Sequence, residues 1–321
     1  MYRKILAGGA AVLGCVLLIV SVTQNWDLIR SLGDGGGGQF TGFGTPNPGG
    51  VPIAFFHQFN IDDLTIPRDE ILAGGPPKDG IPAITDPEVT GVAEVDFLHA
   101  NDRVVAVTVE GRARAYPIRL LNWHEAVNDQ LGDTPFAVIY CPLCDSASVV
   151  DRRIEGEVLE LGISGLLYNS NVLLYDRTHD ALWSQISFEA VSGPYAGRAL
   201  RHLPWQLTTF GDWKQRHPDS AVANFNTGHL RDYHRNPYQQ YFQHDGLMFP
   251  VKGGDDARLP RKEPVIGIQF DQRARAYPIH RIADAPSGRV EDLLGQARIV
   301  LEAGPAREQI RNRPRERTRG S

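Results

Sequence analysis

Two cysteines stand close together at the end of an apolar run. Phe136 to Tyr140 is rich in β-branched and aromatic residues, which predicts a buried strand, and Cys141-Pro142-Leu143-Cys144 follows it directly. Pro142 cannot donate to a strand ladder and therefore predicts the end of the strand. Two thiols on one tight turn can hold a metal ion, form a reversible disulfide or simply pack as small apolar groups. The pair is therefore the first candidate site of the chain.

A histidine upstream of the cysteines favours the metal interpretation. His124 stands about one helix and one loop before them in the same predicted unit. A Cys–Cys–His set suits zinc, which prefers S and N donors in tetrahedral geometry, and also copper, which thiolates favour. Glu125 is then a candidate outer partner or a base for metal-bound water, and it is the catalytic candidate of the chain. We expect copper or zinc at Cys141, Cys144 and His124.

Two other interpretations of the cysteines stay open. The pair could serve a thiol–disulfide oxidoreductase, because exported compartments are oxidising and a Cys-x-x-Cys can close. Against this, a reactive thiol usually sits at a helix N-terminus, whereas Val149-Val150 and their neighbours predict a strand after Cys144. The third interpretation is a non-catalytic ligand-binding module with structural cysteines. The residues alone do not decide whether the protein is an enzyme.

Further polar side chains are candidates for a pocket around this site. Ser164 lies in Gly-Ile-Ser-Gly-Leu, but a hydrolase nucleophile would need glycine where Leu166 stands, so a tight Ser-Gly turn is the better account. His234 and Met248 are candidate additional metal ligands, and Asp176 with Arg177 is expected to form a turn ion pair rather than an acid–base pair. The complete set of pocket candidates is Ser164, Asn169, Asp176, Arg177, Tyr233, His234, Tyr238 and Met248.

The elements that position these residues include an internal repeat. Arg-Ala-Arg-Ala-Tyr-Pro-Ile occurs at 112–118 and again at 273–279. Each copy follows a predicted strand and precedes a predicted helix and another strand, Val138 to Tyr140 in the first copy and Ala297 to Leu301 in the second. The pattern predicts two copies of a strand-strand-helix-strand unit within a single large domain, because repeats usually mark a shared structural unit. The second copy carries no cysteines.

The residues between the copies predict short strands and few helices. Val172 to Tyr175 and Ala181 to Gln185 flank a polar turn and predict a hairpin, while Phe210 to Arg216 predicts a short helix that ends before Pro218. Arg231 to Phe242 is dense in Tyr, His, Asn and Gln and predicts an irregular, functional segment. The fold class expected from the whole pattern is α+β, strand-rich.

The ends of the chain predict a membrane tether. Arg3 and Lys4 precede the apolar stretch Ile5 to Val22, which suits either one membrane crossing or the apolar part of a secretory signal. We favour an uncleaved single-pass anchor within 1–30, with the main domain outside the cytoplasm. A Gly-rich linker over 31–50 leads to an extracytoplasmic domain over 51–302, and a basic disordered tail follows over 303–321. The net charge of −5 argues against nucleic acid as a partner. The membrane and a metal ion are the partners that the sequence indicates, and protein partners are unknown from the sequence.

Several short motifs together resemble one known family. In chain order they are Asn122-Trp123-His124-Glu125, Tyr140-Cys141-Pro142-Leu143-Cys144, Ile163-Ser164-Gly165-Leu166-Leu167, Tyr175-Asp176-Arg177-Thr178, Leu182-Trp183-Ser184-Gln185 and Asp232-Tyr233 through Pro237-Tyr238. In these residues, over about Pro52 to Leu301, the chain resembles the prokaryotic family known as domain of unknown function 3179. The resemblance implies no established activity. Asp145 stands where members of that family often have Gly or another small residue.

Overall fold

The computed structural model describes residues 56–254 and 256–302 of the chain. They divide into two compact units, a larger one that ends at Glu263 and a smaller one that begins at Pro264. The sequence predicts one domain over 51–302, and the division falls within a stretch rich in Gly, Pro and charged residues, the usual composition of a boundary between units.

The larger unit is built mainly from strands. Its strands are β1 (Ile71–Ala73), β2 (Ile84–Thr85), β3 (Val89–Gly91), β4 (Arg103–Val109), β5 (Arg112–Pro117), β6 (Ala126–Leu131), β7 (Thr134–Cys141), β8 (Ser146–Asp151), β9 (Arg153–Ile154), β10 (Glu157–Val158), β11 (Leu161–Tyr168), β12 (Asn171–Asp176), β13 (Leu182–Ser184), β14 (Trp205–Thr209) and β15 (Ala221–Ala223). Its helices are α1 (Ile118–His124), α2 (Phe210–Arg216) and α3 (Gln239–Phe242), with single 3-10 turns at Arg68–Glu70 and Val92–Glu94. The expected strand-rich α+β class is confirmed.

Three main sheets form this unit. Their strand orders are β14-β4-β5-β15-β3, β2-β6-β7-β8 and β1-β11-β12-β13. Strand β7 lies inside the second sheet, paired with β6 on one side and β8 on the other, and all eight of its residues are buried. A strand covered on both faces reads as a continuous apolar run, which explains why the sequence predicts it so clearly.

The two faces of β7 belong to different parts of the core. Phe136, Val138 and Tyr140 pack with α1 and with residues of β4. Ala137, Ile139 and Cys141 point to the opposite face because side chains alternate along a strand, and there they pack with residues of β11, β12 and β13. Cys141 is therefore directed into the core between the second and third sheets.

The turn between β7 and β8 carries the second cysteine. Cys141 pairs with Ser146 across the hairpin, so residues 142–145 form the loop. Asp145 has a φ of 50°, the left-handed conformation that usually favours glycine. Its carboxylate accepts hydrogen bonds of 2.8 Å from Arg103 Nη2 and from the Tyr140 hydroxyl, and these bonds hold the turn without a glycine. The residue after Cys144 thus keeps the turn that a small residue would adopt.

The end of α1 places the Glu125 side chain. Glu125 follows the last helical residue with a φ of 58°, and its N–H donates to the Leu121 carbonyl at 2.9 Å. Its own carbonyl accepts from the Tyr140 N–H at 2.7 Å, which ties the helix end to β7. A left-handed conformation costs a residue with a Cβ of order 1 kcal/mol, so these two bonds stabilise a strained position.

The smaller unit contains β16 (Val265–Phe270), β17 (Arg273–Pro278), α4 (Ile279–Asp284), β18 (Arg289–Leu294) and β19 (Ala297–Glu302). Strands β16 and β17 form one antiparallel pair, and β18 and β19 form another. The sequence predicts a strand-strand-helix-strand order for this region and for 104–140. In both regions one further strand, β18 and β6 respectively, lies between the helix and the last predicted strand.

Strand β6 escapes prediction because it carries polar residues in the core. Asn128 is buried, and its amide donates to the Leu161 carbonyl and accepts from the Leu161 N–H, each at 2.9 Å. Asp129 is also buried and accepts from the Tyr116 hydroxyl and from Arg114. These partners replace the bonds that water would make, so polar residues occupy positions where an apolar pattern is expected.

Other predicted elements agree with the structure to within a few residues. The short helix at Phe210–Arg216 is confirmed, and the Thr209 hydroxyl caps its start by accepting from the Asp212 N–H at 3.3 Å. The hairpin predicted around 176–180 is formed by β12 and β13. The stretch 231–242 is irregular apart from the single turn of α3.

The predicted anchor within 1–30, the Gly-rich linker over 31–50 and the basic tail over 303–321 lie outside the described residues. Within residues 56–254 and 256–302, no helix combines the length and apolar character needed to cross a membrane.

Candidate functional site

Cys141 and Cys144 both carry free thiols, and their surroundings differ. Cys141 is 1% exposed, whereas Cys144 at the tip of the hairpin is exposed to solvent. The Cys141 thiol lies close enough to donate a hydrogen bond to the Cys144 sulfur. An incoming molecule therefore meets Cys144 first, with Cys141 directly behind it.

Two polar side chains contact the Cys144 sulfur, and a third holds both of them. Asn171 Nδ2 donates to Sγ at 3.2 Å, and Ser146 Oγ lies 3.0 Å from Sγ. The buried Gln185 accepts at Oε1 from Asn171 Nδ2 at 2.6 Å and from Ser146 Oγ at 2.9 Å. The hydrogen bond from Cys141 is the largest influence that lowers the pKa of Cys144, to about 7, and Ser146 and Asn171 lower that pKa further. Cys144 is thus substantially ionised near neutral pH.

The buried thiol has the opposite tendency. Burial raises the pKa of Cys141 well above its ordinary value, and the hydrogen bond to Cys144 and the nearby negative charges of Cys144 and Glu125 raise that pKa further. The two thiols therefore differ in acidity as well as exposure. Near neutral pH, Cys144 is the thiol that ionises, and Cys141 keeps its proton.

Glu125 is a buried carboxyl group beside this pair. It is 6% exposed, and Tyr238 donates its hydroxyl hydrogen to Glu125 Oε1 at 3.1 Å. Burial raises the pKa of Glu125 to about 7, against the lowering effect of the Tyr238 bond, and the charge of the Cys144 thiolate raises the pKa of Glu125 as well. Glu125 can therefore both release and accept a proton close to neutral pH.

A small cavity connects Glu125 with Cys141. Its volume is about 30 Å³, which is room for one water molecule, and it is lined mainly by apolar side chains. Glu125, Cys141, Tyr238 and Met248 all contribute to its wall. The structure therefore brings together these four residues, which the sequence singles out for separate reasons.

His124 faces a different set of partners. Its ring Nδ1 lies 2.7 Å from the Pro82 carbonyl, which can only accept, so Nδ1 carries the hydrogen and Nε2 accepts from the Tyr233 hydroxyl at 2.7 Å. Burial lowers the pKa of His124 to about 4, so the ring is neutral at pH 7. A metal ion at Nε2 would have to displace Tyr233.

The predicted Cys141–Cys144–His124 metal site remains a prediction. Among residues 56–254 and 256–302, no group of three or more His, Cys, Asp or Glu side chains is arranged to hold a metal ion. The two sulfurs are adjacent, but both nitrogens of the predicted third ligand already have protein partners.

Tyr233 and His234 belong to the surroundings of α1. The Tyr233 hydroxyl bonds both His124 and the Thr227 hydroxyl, the latter at 2.6 Å. The exposed His234 places Nδ1 2.6 Å from Arg119 Nη2. Tyr233 thus fixes the ring of His124, and His234 has a partner on the surface.

Ser164 and Asn169 have structural partners. Ser164 is buried in an irregular part of the β11–β12 pair, where its hydroxyl donates to the Leu173 carbonyl at 2.5 Å and accepts from the Leu166 N–H at 2.9 Å. These bonds agree with the turn interpretation of the Ser-Gly sequence. Asn169 accepts from the Lys252 N–H at 2.9 Å and so attaches the chain near 252 to the β11–β12 turn.

The expected ion pair between Asp176 and Arg177 is wrong. Asp176 is fully buried and accepts from the Trp183 indole at 2.9 Å and from the His179 N–H at 2.7 Å. Arg177 makes a two-pronged pair with Asp79 at 2.9 Å for each bond. Asp176 is the last residue of β12 and Arg177 is the first residue of the turn that follows, and each side chain is held by partners other than its neighbour.

Sequence reasoning misses two residues of the site, Ser146 and Gln185. Ser146 lies two positions after Cys144, whereas Gln185 lies 14 positions from Asn171 and 39 from Ser146, and only the packing of the second and third sheets brings it to them. One signal was present, because Gln185 closes the Leu-Trp-Ser-Gln motif that carries the family resemblance.

Comparison with known proteins agrees with that resemblance. A family model described as protein of unknown function (DUF3179) matches residues 78–320, which include every site residue discussed above. No curated protein and no solved structure matches the chain. With most of its length matched by this model, the chain belongs to the DUF3179 family.

Proposed function

We propose that the protein is a thiol–disulfide oxidoreductase in which Cys144 attacks and Cys141 resolves. One observation carries the proposal. An exposed thiol with a pKa of about 7 lies directly in front of a buried thiol, and a carboxyl group with a pKa of about 7 shares a cavity with the buried one. A pair of thiols with separated pKa values and one accessible sulfur suits stepwise exchange with a disulfide.

The first step consumes a disulfide of a protein or a small molecule. The Cys144 thiolate attacks one sulfur of the substrate, its S–S bond breaks, and a mixed disulfide forms at Cys144. The departing substrate sulfur leaves as a thiolate and takes a proton from solvent. The position of Cys144 on an exposed hairpin tip supports its role as the attacking group, because Cys141 is buried behind it.

The second step uses the buried residues. Cys141 transfers its proton to the Glu125 carboxylate, and the resulting thiolate attacks Cys144. A Cys141–Cys144 disulfide forms as the second substrate sulfur leaves, so the protein loses two electrons and the substrate gains them. Glu125 supports this step because it lies in the same cavity as Cys141 and its pKa lies near working pH. Reduction of the protein by an external dithiol would complete the cycle.

Exchange with an aromatic disulfide, followed by the release of coloured thiolate, tests the proposal in the full-length reduced chain. We expect Cys144→Ala to abolish release above the buffer rate. Cys141→Ser should release a single equivalent and remain as a mixed disulfide on Cys144, detectable by mass spectrometry.

Cys15→Ser is the matched control, because it removes the third cysteine of the chain and leaves the pair intact. It should exchange at the wild-type rate. Exchange that survives in Cys144→Ala would contradict the proposal.

Two finer predictions belong with this proposal. We propose that 103–141 and 265–302 are two copies of one structural unit, supported by their identical heptapeptides and the same order of elements. We also propose an extracytoplasmic domain held by a single-pass anchor at the cell membrane, supported by the apolar stretch from Ile5 to Val22. Membrane fractionation combined with protease protection of whole cells tests the second of these.

A further inference from the structure

We propose that Asn171 is a catalytic residue that holds the Cys144 sulfur for attack, and that Gln185 is a positioning residue that aims Asn171 and Ser146 at that sulfur. This inference rests on the proposed exchange at Cys144 and adds the groups that prepare it. It is carried by the bonds that join the four side chains, whose hydrogens can be counted one by one.

When Cys144 is a neutral thiol, every hydrogen of these side chains that points into the network has an acceptor. The Asn171 amide has two hydrogens, one directed to Sγ at 3.2 Å and one to Gln185 Oε1 at 2.6 Å. Ser146 has a single hydroxyl hydrogen, which goes to Gln185 Oε1 at 2.9 Å. Its oxygen is then free to accept the S–H hydrogen of Cys144 across 3.0 Å, with the Cys141 carbonyl at 3.9 Å as a second acceptor. The Cys141 thiol donates to the Cys144 sulfur in addition to Asn171. Both lone pairs of Gln185 Oε1 are used.

When Cys144 is a thiolate, the hydrogens of the network still all have acceptors. The sulfur now has no hydrogen and needs donors, and the Ser146 hydroxyl can supply one by rotating from Gln185 to Sγ without moving a heavy atom. Asn171 keeps both of its bonds, so Gln185 Oε1 retains one donor. Formation of the thiolate thus requires only the rotation of one hydroxyl. Bonds to an ionised acceptor are roughly twice as strong as neutral ones, which favours this state.

Gln185 keeps the arrangement rigid. It is 1% exposed, and its Nε2 donates to the Ser148 hydroxyl at 2.7 Å, which fixes the orientation of its amide. Ser146 and Ser148 lie on β8, Asn171 begins β12, and Gln185 follows β13. The network therefore joins the ends of strands from two sheets, and the sulfur meets donors whose positions are already set.

The titratable groups around Cys144 are Cys141, Glu125 and Tyr241, and the variants below leave all three in place. The measurement is the rate of Cys144 alkylation by iodoacetamide against pH, read by peptide mass spectrometry on the reduced full-length chain. Asn171→Leu, of similar size and without donors, should shift the midpoint up by one unit or more. The rate at pH 7 then falls at least about fivefold.

Gln185→Met tests the network from a second element and should lower the rate at pH 7 about threefold to fivefold, because both donors lose their common acceptor. Ser146→Ala should lower the alkylation rate at pH 7 about twofold. Ser146→Thr keeps the hydroxyl and should have the same pH midpoint of alkylation as wild type. Asn169→Ala is the matched control. It lies in the same turn but bonds the Lys252 N–H, and it should leave the midpoint unchanged.

Midpoints within about 0.3 units of wild type in folded Asn171→Leu and Gln185→Met would overturn the inference and leave both residues a structural role. Alkylation needs no disulfide substrate. If disulfide exchange fails while these shifts appear, the proposed function fails and the assignment of the thiolate-holding network stands.

Discussion

The same seven residues occur twice in this chain, and the two regions around them differ in what surrounds them. In both, the tyrosine hydroxyl and an arginine converge on an aspartate of the strand that follows the helix. Tyr116 and Arg114 bond Asp129, and Tyr277 and Arg275 bond Asp292. In the larger unit Tyr116 is 0% exposed within a five-stranded sheet. In the smaller unit the strands form two-stranded pairs, and four of the six residues of β17 are exposed.

The two regions also differ where the helix ends. Helix α1 is followed by Glu125 in a left-handed conformation that turns its carboxyl group into the core. Helix α4 is followed by Ala285 in an extended conformation. The last strand of the first region leads into the cysteine hairpin, and β19 ends at Glu302. Identical local sequence thus produces the same local structure, while burial and chemistry come from the neighbouring elements.

The largest expected effect on stability comes from removing the buried carboxylate of Asp129. Asp129→Ala leaves the fully buried Tyr116 hydroxyl and Arg114 without their partner and should lower the free energy of unfolding by about 3–5 kcal/mol. Asp292→Ala removes the same contacts where the arginine and the aspartate are partly exposed to water, and it should change stability less. Urea unfolding of both variants makes the comparison. Equal losses would show that local sequence, rather than burial, sets the strength of this triad.

A smaller effect is expected from the side chains at the end of α1. Burial raises the pKa of Glu125 to about 7, so its protonated form is the stable one and stability falls as pH rises from about 4.5 to 7. Burial lowers the pKa of His124 to about 4, so stability falls as pH drops from about 6.5 to 4. Between about pH 4.5 and 6.5, the titrations of Glu125 and His124 therefore change stability in opposite directions.

The stability of Glu125→Gln relative to wild type should therefore increase by up to about 3 kcal/mol between pH 4.5 and pH 7. The free energy of unfolding of this variant should rise with pH over that range, because the titration of His124 remains. The exposed Glu94→Gln serves as control and should follow the wild-type curve. Unfolding free energies at half-unit pH steps provide the measurement. A wild-type slope that persists in Glu125→Gln would show that the carboxyl group titrates normally.

The smallest expected effect is on the metal content of the purified protein. Only the first region carries the predicted ligands, and both nitrogens of His124 have protein partners, so we expect less than about half an equivalent of zinc or copper per chain. Metal analysis and absorption spectra of the reduced chain measure this, with Cys141→Ser expected to match wild type. Near-stoichiometric metal that Cys141→Ser abolishes would restore the Cys141–Cys144–His124 site in place of the dithiol.

Periodic and capped segments were predictable from the sequence. Strand β7 was visible because both faces are apolar, and α2 because Thr209 caps it and Pro218 follows it. Strand β6 was not, because Asn128 and Asp129 are buried with partners that lie far away in the sequence. The apolar pattern of a segment predicts its secondary structure from neighbouring residues. A buried polar residue whose partner is distant in the sequence interrupts that pattern, so its strand is not predicted.

The candidate site was predictable in part for the same reason. Cys141, Cys144 and Glu125 were identified by residue type and spacing. The partners of His124 were not visible, because its Nε2 bonds Tyr233, more than a hundred residues later. The sequence argument considers only a helix N-terminus as the usual means of lowering the pKa of a thiol. Here the Cys141 thiol and the side chains of Ser146 and Asn171 lower the pKa of Cys144 on a strand hairpin.

The main chain of Glu125 has a practical consequence. Its N–H bonds Leu121 and its carbonyl bonds Tyr140, so the helix end is fastened to β7 whatever side chain stands at this position. An amino acid with a nitrile group could therefore be installed there while the framework keeps its shape. The stretching frequency of that nitrile would report the electric field beside the sulfurs directly.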